Sequence, residues 1–259
     1  MSLQHFFLES QVISRETSPE FVLGLSRDDL AHAKVLRLRA GEHIAVIDAE
    51  ADYFECEIVS ASAKEIVVSI AKRLQKHENC PRVTLVQGLC KGSKMDSVIR
   101  HATELGVCKF MPFAANRSVL KLAGSRAQTK VARWQAIAKS AAMQAGQTRI
   151  PKVLQPASVQ GLCEALKNYD AVLVCWEQAQ QTSCALAQAL APAASTCSSN
   201  AKVAVVVGPE GGITQEEIDC FLSSIPNAKL ISLGRSILRT ETAGIVAPAL
   251  VLYELGALC

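Results

Sequence analysis

Residues 203–246 read VAVVVGPEGGITQEEIDCFLSSIPNAKLISLGRSILRTETAGIV, and the fold follows from how this stretch is punctuated. Val203 to Val207 is an apolar, valine-rich run of the kind buried on both faces of a parallel sheet. It stops at Gly208-Pro209-Glu210-Gly211-Gly212, where proline fixes its own φ and lacks an N–H while glycine allows positive φ. A ligand can lie against bare backbone amides there. Thr214 and Glu217 have capping-box spacing and start a helix whose apolar face is Ile218, Phe221, Leu222 and Ile225. A second strand is expected over 229–233, ending in the turn Gly234-Arg235-Ser236. After Ile237-Leu238-Arg239, Thr240 stands where it would cap a closing helix running to about Leu255. Two strand ends thus carry glycine turns to one rim of the sheet, where ligands of open α/β folds sit.

GPEGG followed at this spacing by LGRSILRTETA resembles the SPOUT class of RNA methyltransferases and, within it, the ribosomal RNA small subunit methyltransferase E family. The resemblance implies an α/β fold with a parallel sheet and a C-terminal trefoil knot, preceded by a small PUA-like β-barrel. It implies S-adenosylmethionine as cofactor, held by Gly208, Pro209, Glu210, Gly211, Gly212, Leu233, Gly234, Ile237, Leu238 and Arg239. A further buried strand is expected over 171–175; Val174, near its end, and Trp176, just past it, join the same rim.

Composition bounds the rest. A chain of 259 residues with 49% hydrophobic content has ample material for a core. No apolar run approaches a membrane span, and the N-terminus MSLQHFFLES lacks signal-peptide character, so a cytoplasmic location is expected. The 10 cysteines contain no CxxC pair and the 5 histidines no HxxxH, so no metal is expected and the thiols read as reduced small hydrophobes. GxGxxG after a first strand is missing, which argues against a nicotinamide dehydrogenase. Charge is uneven: residues 81–160 carry 13 Lys and Arg against 2 Asp and Glu, whereas 1–80 carry 9 against 13 and 161–259 carry 5 against 9. A basic middle is the electrostatic footprint of a polyanion-binding surface.

Residues 1–75 read as short alternating strands at Phe6–Leu8, Phe21–Leu23, 43–48, 53–59 and 66–70, with a helix opening at Ser26 and Asp29 at its capping position. This is the expected β-barrel. The run His32 to Arg39 with Gly41 resembles the entry segment of the family's RNA-binding domain, which would place Lys34, Arg37 and Arg39 on RNA. A polar tract from Lys72 to Pro81 sets the boundary, giving an RNA-binding domain over 1–75 and a methyltransferase domain over 76–259.

The second domain opens with a buried strand at Val83–Gln87, a turn at Gly88–Gly92, and a helix capped by Ser93 with Asp96. QGLCKGSKMDSVIRHATELGV resembles the family's first long motif, and Lys91 and Lys94 stand where they can pair with phosphate. A strand at 108–113 precedes Asn116-Arg117-Ser118, and a basic helix follows over 121–145 with Trp134, Ile137, Ala138 and Ala141 inward. The resemblance covers Asn116-Arg117-Ser118, Gln144 and Arg149-Ile150-Pro151 and implies a substrate-side wall; Arg117 and Arg149 can grip phosphate or a uracil carbonyl. Residues 188–202 are read as an exposed linker. The closing helix is apolar nearly all round and contains Pro248, which predicts a kink. It must be covered on every side, and the class forms homodimers.

The activity implied is methylation of uridine N3 in small-subunit (16S) ribosomal RNA. The N3 proton must leave, so a base takes it or positive charge stabilises the anion. Arg117, Arg149 and Arg239 are the cations available, and Glu210 is either base or loop scaffold. The rivals are a SPOUT ribose 2′-O-methyltransferase and a non-catalytic ribosomal RNA-binding assembly factor that uses its glycine loops for phosphate.

Overall fold

The computed structural model describes residues 3–75, 81–178, 184–195 and 201–258. The chain divides into two units, Met1–His77 with Ala142–Arg149, and Glu78–Ala141 with Ile150–Cys259.

In the first unit, strands β2 (Glu20–Val22), β4 (Tyr53–Ala61) and β5 (Ile66–Arg73) alternate more and less buried positions along at least part of their length, whereas β1 (Gln4–Phe7) and β3 (His43–Ile47) are buried at every position after the first. They pair in the order β1-β3-β4-β5-β2, with β1 parallel to β3 and the other pairs antiparallel. Of the expected β-barrel, the described residues show a five-stranded sheet in which no ladder joins β1 to β2. Both edge strands are only 3 or 4 residues long, which leaves little backbone to close a ring. Phe6, Ile44, Val46, Ile58 and Val68 form the core. Helix α1 (Arg27–Leu36) begins as its spacing predicts, with the Asp29 N–H donating to Ser26 Oγ at 3.2 Å. Of the boundary tract, Lys76–Cys80 lie outside the described residues.

The second unit runs β6 (Arg82–Gly88), α2 (Lys94–Leu105), β7 (Lys109–Phe113), α3 (Gly124–Gln144, its last turn grouped with the first unit), β8 (Lys152–Val153), α4 (Val159–Leu166) and β9 (Ala171–Cys175). It continues through α5 (Leu186–Ser195), β10 (Lys202–Val207), α6 (Gln215–Ser224), β11 (Ala228–Ile231) and α7 (Thr240–Glu254). The six strands form one wholly parallel sheet in the order β11-β9-β10-β6-β7-β8. Strand β10 is buried on both faces: Val203, Val205 and Val207 pack with α2, α3, α5 and α7, and Ala204 and Val206 pack with α4 and α6. Each fully buried valine contributes about 1.5 kcal/mol or more.

Several local expectations give way to tertiary contacts. The tract read as an exposed linker is helical through Ser195, with Ala189, Leu190 and Ala193 buried; alanine's helix propensity and a thin apolar face outweigh the loop-like composition. Residues 196–200 of that tract lie outside the described residues. Leu222 is not on the buried face of α6 but exposed, and β11 ends at Ile231 rather than at Leu233. Ser93 makes no side-chain cap on α2. Asp96 instead accepts from Trp134 Nε1 at 3.1 Å and Arg133 Nη2 at 2.5 Å, both on α3. Helix α7 buries Ala243, Ala247, Val251 and Leu252 but leaves Leu250 and Tyr253 exposed, so this chain does not cover it on every side. No helix among the described residues is long and apolar enough to cross a membrane.

Candidate active site

Strands β10 and β11 flank β9, and Val207 and Ile231 both stand in register with Cys175. The loops that follow them therefore leave the sheet at one rim, and between them lies a cavity of about 520 Å³. Gly208 to Ile213 form one wall, Ser232 to Gly234 and Ser236 to Thr240 a second, and Cys175, Trp176 and Glu177 the floor from β9. This size suits a nucleoside-sized ligand. All the loop residues singled out from the sequence, Gly208, Pro209, Glu210, Gly211, Gly212, Leu233, Gly234, Ile237, Leu238 and Arg239, line it. Val174 does not: its side chain is wholly buried in the core beneath α4 and α6, because alternation along β9 turns it to that face. Trp176 and Glu177 line the cavity, as their place just past the strand end suggests, and Cys175 takes the position expected of Val174.

Close approach dictates the glycines of the first loop. Gly212 has φ 75 and donates its N–H to the Pro209 carbonyl at 2.9 Å, and a methyl group there would lie 2.8 Å from Glu177 Oε1. A methyl group on Gly211 would lie 2.9 Å from Arg117 Cβ. The wall carrying Arg117 is thus packed directly on the loop, and Arg117 Nη1 donates to the Gly211 carbonyl at 3.3 Å.

The loop leads into α6 through the capping box read from the sequence: the Glu217 N–H donates to Thr214 Oγ1 at 3.3 Å and the Thr214 N–H to Glu217 Oε2 at 3.0 Å. Thr240, expected as the cap of α7, is instead the first residue of that helix. Its hydroxyl donates to the Gly208 carbonyl at 2.5 Å, so a tertiary bond has replaced the local one in which it would accept a backbone N–H.

Glu210 is anchored. Its Oε1 accepts the Lys91 N–H at 3.2 Å and lies 3.1 Å from Lys94 Nζ, which also lies 3.3 Å from Glu241 Oε2. Burial raises the Glu210 carboxyl's affinity for protons, but its own backbone N–H, Lys94 and the Lys91 N–H together outweigh this and hold it below the usual range. Lys94 is pushed up, first by its hydrogen bond to Glu210 and then, against the opposing effect of burial, by Glu241. Lys94 therefore faces two carboxylates at the cavity, a different environment from the open phosphate contact expected. Cys175 is pushed up to about 12 by burial and stays a neutral thiol. Trp176 Nε1 is buried with no hydrogen-bond partner among the described residues.

The remaining candidates are exposed. Arg239 is exposed at the N-cap position of α7, on the cavity wall. Lys91 is exposed beside Glu210. Gln144 and Arg149 are exposed and group with the first unit, as do the exposed Lys34, Arg37 and Arg39 at and beyond the end of α1. No cluster of three His, Cys, Asp or Glu side chains that could hold a metal occurs among the described residues.

Comparison with known proteins bears directly on this geometry. An RNA methyltransferase domain model matches residues 76–252, and an RNA methyltransferase PUA domain model matches residues 25–71. Ribosomal RNA small subunit methyltransferase E of Bacillus subtilis is 30% identical over 254 residues, covering 97% of each chain. Its counterpart in Mycobacterium tuberculosis is 32% identical over 219 residues, covering 83% of this chain and 79% of that one. Among solved structures, a methyltransferase of Legionella pneumophila in complex with bound S-adenosylmethionine superposes with TM-score 0.78 at 25% identity, covering 98% of each chain. The small subunit methyltransferase E of Neisseria gonorrhoeae shares the fold, with TM-score 0.78 at 24% identity over 97% of each chain. The loops GPEGG and LGRSILRTETA, the parallel sheet that presents them and full-length likeness at 30% identity lead to one assignment: this chain belongs to the ribosomal RNA small subunit methyltransferase E family.

Proposed function

We propose that this protein transfers a methyl group from S-adenosylmethionine to N3 of a uridine in small-subunit ribosomal RNA. The observation that carries the reading is the meeting of two glycine loops around a cavity of about 520 Å³ with Arg117 packed on one of them. The B. subtilis relative bears a name with the same substrate class, and the Legionella structure of like fold holds the same cofactor.

The residues suit that cofactor. The two glycine loops bring backbone to the cavity surface, where peptide groups can meet polar groups of a ligand, while Trp176 Nε1 is a buried donor awaiting an acceptor. S-adenosylmethionine supplies an already activated methyl group, so no metal is demanded. The chain's task is to orient the base and manage the N3 proton. Arg239 on the cavity wall and Arg117, packed on the first loop, stabilise the uracil anion through the guanidinium fork, and Arg149 is assigned the same task. Glu210 is assigned to the scaffold rather than to the base, because its Oε1 is held by Lys91 and Lys94 and its basicity is lowered.

The larger assembly follows the same reading. Residues 1–75 bind RNA through Lys34, Arg37 and Arg39, and 76–259 form the catalytic domain, with Lys91 and Gln144 on the RNA side. A trefoil knot is supported by β10 lying between β9 and β6 while α7 returns to pack near β6 after β11 has closed the edge. A second copy covers Leu250 and Tyr253 in a homodimer. A ribosomal RNA substrate supports a cytoplasmic location.

Nucleoside mass spectrometry of ribosomal RNA from cells with and without the protein tests the reading. Loss of N3-methyluridine is expected. A missing ribose methyl, detected as lost resistance to alkaline cleavage, would overturn the N3 assignment. Intact RNA binding with no S-adenosylmethionine uptake would favour an assembly factor.

A further inference from the structure

We infer that Gln87 is a positioning residue for both cofactor loops, acting through the Thr240 hydroxyl on the Gly208 carbonyl; this rests on the cofactor reading above. Gln87 is the penultimate residue of β6 and is completely buried. Its Nε2 donates to Thr240 Oγ1 at 2.9 Å across 153 residues of sequence. Thr240 Oγ1 donates in turn to the Gly208 carbonyl at 2.5 Å. Gly208 belongs to the first cavity loop and Thr240 closes the second. One hydroxyl therefore pins the start of one loop to the end of the other.

The chemistry fixes the direction of this relay. A hydroxyl has one hydrogen, and here it is committed to a carbonyl that can only accept. The free lone pair of Thr240 must then receive a donor, which sets the Gln87 amide with nitrogen toward Thr240. Cys90 Sγ, at 3.7 Å from Thr240 Oγ1, is not that donor, because its hydrogen goes to the Gly88 carbonyl at 3.0 Å. The Gln87 oxygen has no hydrogen-bond partner among the described residues. A buried amide satisfied at one end only is costly, and an apolar side chain would fill the space without that cost. What an apolar side chain cannot supply is the N–H to Thr240.

Two glycines accommodate the relay. A methyl group on Gly244, in the interior of α7, would lie 2.3 Å from Gln87 Oε1. A methyl group on Gly88 would lie 2.2 Å from the Pro209 nitrogen, so the first loop sits directly on the end of β6. The pair Gln87-Gly88 is thus a seat for the cofactor loop, and the bond through Thr240 holds the loops in one arrangement before the ligand arrives. Preorganisation of this kind is expressed as affinity, since less ordering remains to be done on binding.

The test is calorimetric titration of S-adenosylmethionine into wild type, Thr240→Ser, Thr240→Val and Gln87→Met, with thermal unfolding of each and steady-state methyl transfer. Thr240→Val and Gln87→Met should each lose about tenfold or more in affinity, the loss of one well-placed buried bond, while Thr240→Ser stays within about threefold. Combining Gln87→Met with Thr240→Val should add little, because both cut the same relay. In Gln87→Met, KM for the cofactor should rise while kcat at saturating cofactor holds. A merely structural role would lower the melting temperatures without this order of affinities. If Thr240→Val does not fold, Gln87→Met carries the test, with Thr240→Ser as its rescue control. Folded Gln87→Met with wild-type affinity overturns the inference alone. Failure of the wild type itself to take up the cofactor overturns the cofactor reading, and the inference with it.

Discussion

Glu217 Oε1 accepts the Asn116 N–H at 2.8 Å although the two residues are 101 apart in sequence. The other oxygen of the same carboxylate closes the capping box on Thr214. One buried side chain therefore joins the wall bearing Arg117 to the helix that follows the first cavity loop. Glu217→Ala should cost about 1–3 kcal/mol of stability, from a lost cap and an orphaned backbone donor together. Glu217→Gln keeps one acceptor and should lose less. Thermal unfolding of the two variants checks the order, and equal melting temperatures for Glu217→Ala and wild type would contradict it.

Lys94 and Glu210 set a pH window for the loop. The Glu210 carboxyl is held below its ordinary range, so its anchoring is complete above the ordinary glutamate value and is lost as pH falls through the depressed one. Lys94 is raised, so its share is complete below the ordinary lysine value and is lost as pH rises through the raised one. Cofactor affinity should be flat near neutrality and fall at acid pH in wild type. Glu210→Gln should remove the acid limb while lowering the plateau, as a pH series of calorimetric titrations would record.

Asp96 is a stability residue. It takes the indole N–H of Trp134, which is only 1% exposed, and the guanidinium of Arg133. Asp96→Ala strands a buried donor and should cost about 1–3 kcal/mol, read as a lower midpoint in urea with unchanged slope. Pairing it with Trp134→Phe should recover part of the loss, because the stranded donor then disappears.

Arg117 and Arg149 should separate chemistry from cofactor binding. Arg117→Ala is expected to slow single-turnover methyl transfer about a hundredfold, the scale for removing one charge-stabilising donor, with cofactor affinity changed little. Arg149→Ala should act in the same direction. Wild-type single-turnover rates in Arg149→Ala would remove that residue from the site.

The legible parts of this molecule were those with a single physical reading. A valine run ending in GPEGG has few fates other than a central parallel strand feeding a ligand loop, and Thr214 with Glu217 made the cap their spacing predicted. Elsewhere two readings competed. The 188–195 segment combined alanine with proline and serine, and its burial against the sheet, invisible locally, decided for helix. Ser93 and Thr240 both stand at helix starts, but Thr240 found the Gly208 carbonyl and Asp96 found Trp134. Each tertiary partner lay 32 or more residues away, beyond any window used to judge caps. Val174 and Cys175 differ by one position, and only the strand's register with Val207 and Ile231 says which reaches the rim.

The strand order has a consequence for translation. Arg82 at the start of β6 pairs with Lys202 at the start of β10, so the nascent sheet waits for some 120 further residues. At ordinary elongation speeds that wait is roughly ten seconds. Throughout it, Val83, Leu85 and Val86 present an apolar edge that any neighbouring chain can extend. Lesions that delay β10 should therefore appear first as inclusion bodies during expression, before they register in the melting of whatever folded protein survives.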